Sequence, residues 1–401
     1  MDLNKHIYIF FLVLFSIIPV SIIAGSAVIL INILLINFSF IILLVYKKDF
    51  NFLKNKAMIY FFILYAYLIL NSLISIDYSE GILRNFGFLR IIIIFAAINY
   101  FFQDKIFFKK VLKFWSIVIL IVLIDVFFES FTGKNILGFS GESYEKRIVS
   151  FFKDEPIVGG YLNGFYLIII GFLFNELKDD KKYFIILFSM ILIFSILLTG
   201  ERSTTIKAII GASIFFILYK NLDIKKKVFI TLTTLLLMII IVFNSSFLKV
   251  RFYGQIYQLI KQKNIYFQLH RSGFEVFKNN KLFGVGNKNY RIETCNEIKK
   301  NDRYICTTHP HQIYFEFLSE HGLIGTIIIL LIFYKLIFSK ILSTFREKNY
   351  IKIGSLIYLM IAFTPIIPTG AFFTDHVLTL FVINLGIFYG SDKKLNIFKK
   401  I

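Results

Sequence analysis

The sequence predicts an all-α polytopic membrane protein with about twelve transmembrane helices and one large loop on the outer side. Three observations carry this prediction. Hydrophobic residues make up 57% of the 401, whereas soluble domains hold about half or less. Mean hydropathy is +0.73. Apolar runs of about twenty residues, enough to cross roughly 30 Å of hydrocarbon, recur from end to end. A segment in lipid must satisfy its own backbone N–H and C=O groups, and these runs are too long for barrel strands, so they read as helices.

The first run, Ile7 to Ala24, follows a Lys and a His. Ser21-Ile22-Ile23-Ala24 lacks the small-residue pattern of a signal cleavage site and a second run follows at once, so it reads as a retained helix. Further runs fall at 27–46, 57–76, 86–102, 114–130, 161–177, 183–199, 206–219, 228–246, 313–334, 351–369 and 374–390. The segments between them alternate in charge. Lysine-rich ones are 47–56, 103–113, 178–182, 220–227, 335–352 and the tail 391–401, which together hold 24 of the 45 basic residues. The opposite short loops, 77–85, 200–205 and 370–373, hold one, one and none. The positive-inside rule then puts both termini in the cytoplasm, and an even number of spans agrees.

Five regions follow: spans one to five in 1–130, an outer loop at 131–160, spans six to nine in 161–246, the large outer loop at 247–312, and the last three spans with the tail in 313–401. The large loop carries twelve Lys or Arg. Long outer segments escape the charge rule, and a basic outer surface suits an anionic substrate. The net charge of +20 does not indicate nucleic acid, because most of the excess sits in short loops and the 50 Phe and 22 Tyr scatter along spans. A transporter would show paired broken spans or a chain of acidic residues within spans, and neither is evident. Asp125, late in the fifth span, reads as interfacial.

The loop opens on an amphipathic stretch, with Tyr253, Ile256, Tyr257, Leu259 and Ile260 interleaved with Gln255, Gln258, Lys261 and Lys263. This predicts a helix lying on the membrane surface. A second helix is expected over 269–279, with Arg271 and Glu275 spaced for an ion pair. Gly284-Val285-Gly286 lacks the third glycine and the preceding strand of a dinucleotide fingerprint and reads as a helix cap and turn. Cys295 and Cys306, the only cysteines, lie eleven apart in this loop. An oxidising compartment would join them and pin the loop just before the histidines. A zinc site with His309 and His311 would need a spacing that fits no standard pattern.

Thr307-Thr308-His309-Pro310-His311-Gln312 stands where this polar segment meets the tenth span. Proline suits the first turn of a helix, so His309 is expected just outside the span and His311 within its first turn. An imidazole there is poised for proton transfer near neutral pH. Arg202 interrupts an otherwise apolar hairpin, and Arg147 precedes Phe151-Phe152-Lys153-Asp154-Glu155-Pro156. Arginine grips phosphate bidentately, so several arginines with a base describe a site for a diphosphate and an acceptor hydroxyl. There is no nucleotide-binding loop, so a donor used outside the cell membrane would be lipid-linked.

His309-Pro310-His311-Gln312, continued by Tyr314, Glu316, Glu320, Gly322 and Gly325, resembles the His-x-His-Asn … Glu-x-Gly-x-x-Gly signature of the O-antigen ligase and polymerase family. Leu198-Thr199-Gly200-Glu201-Arg202-Ser203 and the Arg271 to Gly286 segment resemble further parts of that family. So does Arg147 with the Phe152 to Pro156 stretch and the Gly159-Gly160 pair. The resemblance runs from about 140 to 330; the N-terminal third contributes only hydropathy. It implies a GT-C-like membrane glycosyltransferase, inverting, metal-independent and without cofactor. Such an enzyme would move a glycan from polyprenyl (undecaprenyl) diphosphate to lipid A–core at the periplasmic face of the bacterial inner membrane, with an O-antigen or exopolysaccharide polymerase as the alternative. The resemblance assigns catalytic roles to His311, Arg271 and Arg202, and substrate contacts to Arg147, His309 and Glu316. Gln312 stands where the family has Asn.

Overall fold

A computed structural model describes residues 4–399 except 143–144, 154, 255–256, 258–264 and 297–301. Most of the amphipathic stretch expected at the start of the large loop lies outside the described residues, although Tyr253 and Tyr257 are described and exposed.

Every apolar run coincides with a helix. The first is broken: α1 (Lys5–Ser16) and α2 (Ile18–Ala24) meet at 45°, with Pro19 in the first turn of α2, where its missing N–H costs nothing. Then come α3 (Ser26–Lys47), α4 (Lys56–Leu73), α5 (Tyr78–Gly87), α6 (Leu89–Phe101), α7 (Lys105–Thr132), α8 (Val158–Glu176), α9 (Lys182–Leu198), α10 (Arg202–Leu218) and α11 (Ile224–Asn244). The large loop contributes α12 (Ile265–Asn279) and α13 (Tyr290–Thr294). The chain closes with α14 (Ile313–Leu336), α15 (Tyr350–Ala362) and α16 (Asp375–Gly390).

Among the described residues, seven helical stretches are long and apolar enough to cross a membrane, or eight if the bent α1–α2 pair is one span. The expected twelve are thus not reproduced by length alone. Helices α9, α10, α15 and α16 hold 17, 17, 13 and 16 residues. The run expected over 351–369 stops at Ala362 because Pro365 and Pro368 follow, and proline disfavours the helical conformation at the residue before it and lacks the N–H that the ladder needs.

Helix α8 sits at the centre, with most of its residues buried, whereas α11 buries only Thr234 and Met238. Small residues let α8 and α15 approach closely. A Cβ on Gly171 would lie 2.4 Å from the Tyr350 carbonyl oxygen, and one on Gly354 would lie 2.3 Å from that of Leu167. Such contacts replace the hydrophobic driving force that helices lack in lipid.

Buried carboxylates fasten the connecting segments to the bundle. Asp125 is fully buried, not interfacial: it accepts the Ile136 N–H at 2.9 Å and the Ser150 hydroxyl. One turn on, Glu129 accepts the N–H groups of Val149 (3.1 Å) and Ser150 (2.6 Å). Together they seat the segment that carries Arg147. On α14, both oxygens of Glu316 accept the Phe372 N–H, at 2.8 and 3.1 Å. Four residues later the Glu320 carboxylate lies on the N–H groups of Lys288 and Tyr290. Each is occupied by backbone donors, which is how a buried polar group is tolerated and unlike the free acidic chain of a proton relay.

The loop after α12 also differs from expectation. Gly284 lies five residues beyond the end of the helix, and the segment crosses α14 rather than capping α12. Val285 and Gly286 donate to the carbonyls of Ser319 and Glu320 at 2.9 Å each. Gly284 (φ 69°) and Gly322 (φ 62°) face each other there: a Cβ on either would lie 2.4 Å from the other segment's backbone. Gly322 kinks α14.

Candidate functional site

A cavity of about 1020 Å³ opens where the large loop meets the bundle. Its wall takes Arg84 from α5, Glu201 and Lys207 from the start of α10, Lys288 and Arg291 from the loop, His309, and His376 from α16. Cations outnumber acids in this wall. Of the acids, Glu201 is already engaged by the N–H groups of Gly159 (2.6 Å) and Gly160 (3.0 Å) and by the Thr204 hydroxyl (3.1 Å). Burial raises the Glu201 carboxyl above its ordinary range, against the opposing charge of Arg147 and those hydrogen bonds.

Of the histidine pair, His309 faces this cavity. Its Nδ1 pairs with the Thr308 hydroxyl at 2.9 Å, while its Nε2 is buried with no hydrogen-bond partner. Burial, with the neighbouring His311, pulls its pKa down to about 4 against a backbone contact at Thr369, so the ring is neutral near pH 7 and one of its two nitrogens is a proton acceptor. His311 stands behind it, ring centroids 4.0 Å apart, and faces Tyr266 at 6.5 Å. Burial lowers its pKa as well.

His311 is not in the first turn of the helix. Gln312 is the N-cap of α14, its side-chain oxygen accepting the N–H groups of Tyr314 (2.8 Å) and Phe315 (3.1 Å). The cap displaces Pro310 and His311 outward, and His311 takes the left-handed conformation at φ 55°. Its carbonyl accepts the Thr369 N–H at 2.9 Å. A cap needs only a side-chain oxygen at this place, which glutamine supplies as asparagine does.

The arginines divide into two groups. Arg147 and Arg202 gather at the turn between α9 and α10 with Arg251, which no pattern singles out among the twelve basic residues of its loop. Arg251 bonds Glu145 at 2.6 Å and the Gly200 carbonyl at 3.4 Å. The Nε atoms of Arg147 and Arg251 are buried without partners. Burial lowers the Arg147 pKa, and the charges of Arg251 and Arg202 add to that against Glu201 and Glu145. Arg271 lies elsewhere, exposed on α12. It does not pair with Glu275, whose partners are Arg303 at 3.2 Å and Lys278 at 3.6 Å. It adjoins His270, whose ring stacks on Phe315 with centroids 5.2 Å apart. None of Arg147, Arg202, Arg271 or His311 lines the cavity itself. Glu316 lies behind the wall and holds the 370–374 loop in place.

Cys295 and Cys306 are joined by a disulfide, which commits both sulfurs and removes them from zinc coordination. The bond ties α13 to the segment leading to His309. Besides Arg251, pattern reading passes over Lys207 and His376. Lys207 stands alone in an apolar helix five residues past Arg202, and an ionisable group in such a place is a functional candidate by default.

An apolar helical bundle with a histidine-bearing cavity at one end, lined by four cationic and three acidic side chains, defines a multi-pass membrane protein. Residues 187–330, which carry Arg202, Arg251, Arg271, His309 and His311, match the family model described as O-antigen ligase. No curated protein matches the chain.

Proposed function

We propose that the protein is an inverting, metal-independent glycosyltransferase of the ligase type. It moves a glycan from polyprenyl diphosphate to lipid A–core or a similar acceptor, at the periplasmic face of the inner membrane with both termini in the cytoplasm. One observation carries this reading: within a segment matching this family's model, a neutral imidazole stands in the wall of a cavity whose flank holds three clustered arginines.

The acceptor hydroxyl oxygen attacks the anomeric carbon of the donor. The bond from that carbon to the phosphate oxygen breaks, and the diphosphate leaves with the electron pair. Arg202, with Arg147 and Arg251, stabilises the charge that grows on the leaving group, which is electrostatic catalysis. The histidine pair takes the hydroxyl proton. His309 supplies the imidazole at the cavity wall, and His311 packs against it and fixes its position. Arg271, exposed beside His270, is a second contact for the donor. The GT-C-like architecture and the crossing of all twelve runs belong to this proposal.

The test is transfer from a purified lipid-linked glycan by wild type, His309→Ala, His311→Ala and Arg202→Ala. Loss of turnover by a factor of about 100 or more is expected in each; wild-type turnover in the histidine variants would sink the reading. Deletion followed by a gel of surface polysaccharide separates the two branches. Bare lipid A–core with accumulated lipid-linked polymer means ligase, and a single attached repeat unit means polymerase.

A further inference from the structure

The bundle holds a second cavity, of about 700 Å³, at the opposite end of the same helices. The His309 cavity draws on the starts of α8 and α16 and the end of α15, whereas this one draws on Phe172 to Glu176, on Gly390 and Ser391, and on Asn349 and Ile351. Its rim carries Lys105, Lys109, Lys393 and Lys399 against one acidic residue, Glu176. That acid is paired with Lys109. Asp392, close by in sequence, is held by the buried Lys352. Lys105, Lys393 and Lys399 therefore have no acidic partner among the described residues. The Ser391 hydroxyl is buried at this cavity with no hydrogen-bond partner. Helix dipoles do not decide the sign, since α8 and α16 finish here while α7 and α15 begin. The rest of the wall mixes the phenylalanines Phe102, Phe108, Phe172 and Phe398 with the amides of Gln103, Asn175, Asn349 and Asn396.

We infer that this cavity binds the phosphate headgroup of an anionic phospholipid, with the lysines around the phosphate and the phenylalanines against the acyl chains. Basic pockets between membrane helices recognise such headgroups. Free phosphate would gain nothing from the phenylalanines, and the site lies at the ends of membrane-crossing helices, where headgroups are. The inference stands apart from the proposed reaction, because the two cavities share no residue.

The experiment is native mass spectrometry of the purified full-length protein in neutral detergent, titrated with phosphatidylglycerol, phosphatidylcholine or inorganic phosphate. Phosphatidylglycerol should bind more tightly than phosphatidylcholine, and added salt should narrow the difference. Each of Lys105→Ala, Lys393→Ala and Lys399→Ala should weaken phosphatidylglycerol binding about fivefold, while the triple lysine-to-arginine variant keeps the preference. Equal binding of the two lipids, an unchanged preference in the triple alanine variant, or full displacement by inorganic phosphate would each overturn the inference.

Discussion

His309 is the residue whose surroundings say most. Its pKa of about 4 comes first from burial and then from His311. The unfolded chain binds that proton near pH 6.5, so acid favours unfolding. Stability contributed by the neutral ring is intact above about pH 6.5 and drains away towards pH 4, by up to about 3 kcal/mol. The thermal unfolding midpoint should fall across that window, and His309→Gln should flatten the fall. Transfer activity should stay level from about pH 8 to pH 5, because the ring remains neutral there. Arg251→Ala should lower turnover about hundredfold, as loss of one stabilising donor does, while the unfolding midpoint measured in parallel stays within a few degrees. That His309, not His311, meets the cavity was not legible in the sequence. It follows from where α14 begins, and the Gln312 cap, which sets that point, is a matter of one side-chain oxygen. Arg251 was hidden differently: its loop is so rich in Lys and Arg that no single one stands out until the fold brings it to Gly200.

At the scale of elements, apolar runs told where helices lie, because helices in lipid need nothing beyond their own ladder. They did not tell how helices end. Pro365 and Pro368 stand in plain sight inside a run that hydropathy alone reads as one span, and the break at Ile17 separates two helices with no polar interruption between them. The connecting segments were the least legible, since their anchors are single carboxylates reaching across the chain. Glu316→Ala should cost about 1–3 kcal/mol, because it leaves the buried Phe372 N–H without a partner, and Gly322→Ala at least about 1–3 kcal/mol from its left-handed backbone alone. Denaturant unfolding in detergent checks both, and a Gly322→Ala midpoint equal to wild type would show that the kink tolerates a side chain.

For the whole molecule, charge and hydropathy gave the bundle, and the His-Pro-His segment with its downstream Glu and Gly pointed to the end of the bundle that carries the cavity. The disulfide binds the large loop to itself at the approach to His309. Replacing both cysteines by serine should remove about 2–4 kcal/mol from the loop's local stability. Limited proteolysis should then cut between positions 290 and 310 faster than in wild type, before the membrane helices are touched; equal cleavage rates would mean that the bond constrains nothing.

Glu316 and Glu320 lie four residues apart on α14 and hold the two loops that wall the cavity, at Phe372 and at Lys288 and Tyr290. Both grip main-chain N–H groups, and every amino acid except proline provides one. The two grips themselves therefore do not depend on which side chains stand at 288, 290 and 372. Substitutions along these loops would thus leave both grips in place, apart from proline at 288, 290 or 372 and any side chain at Gly284 or Gly286, where a Cβ would meet the Glu320 backbone or Ser75.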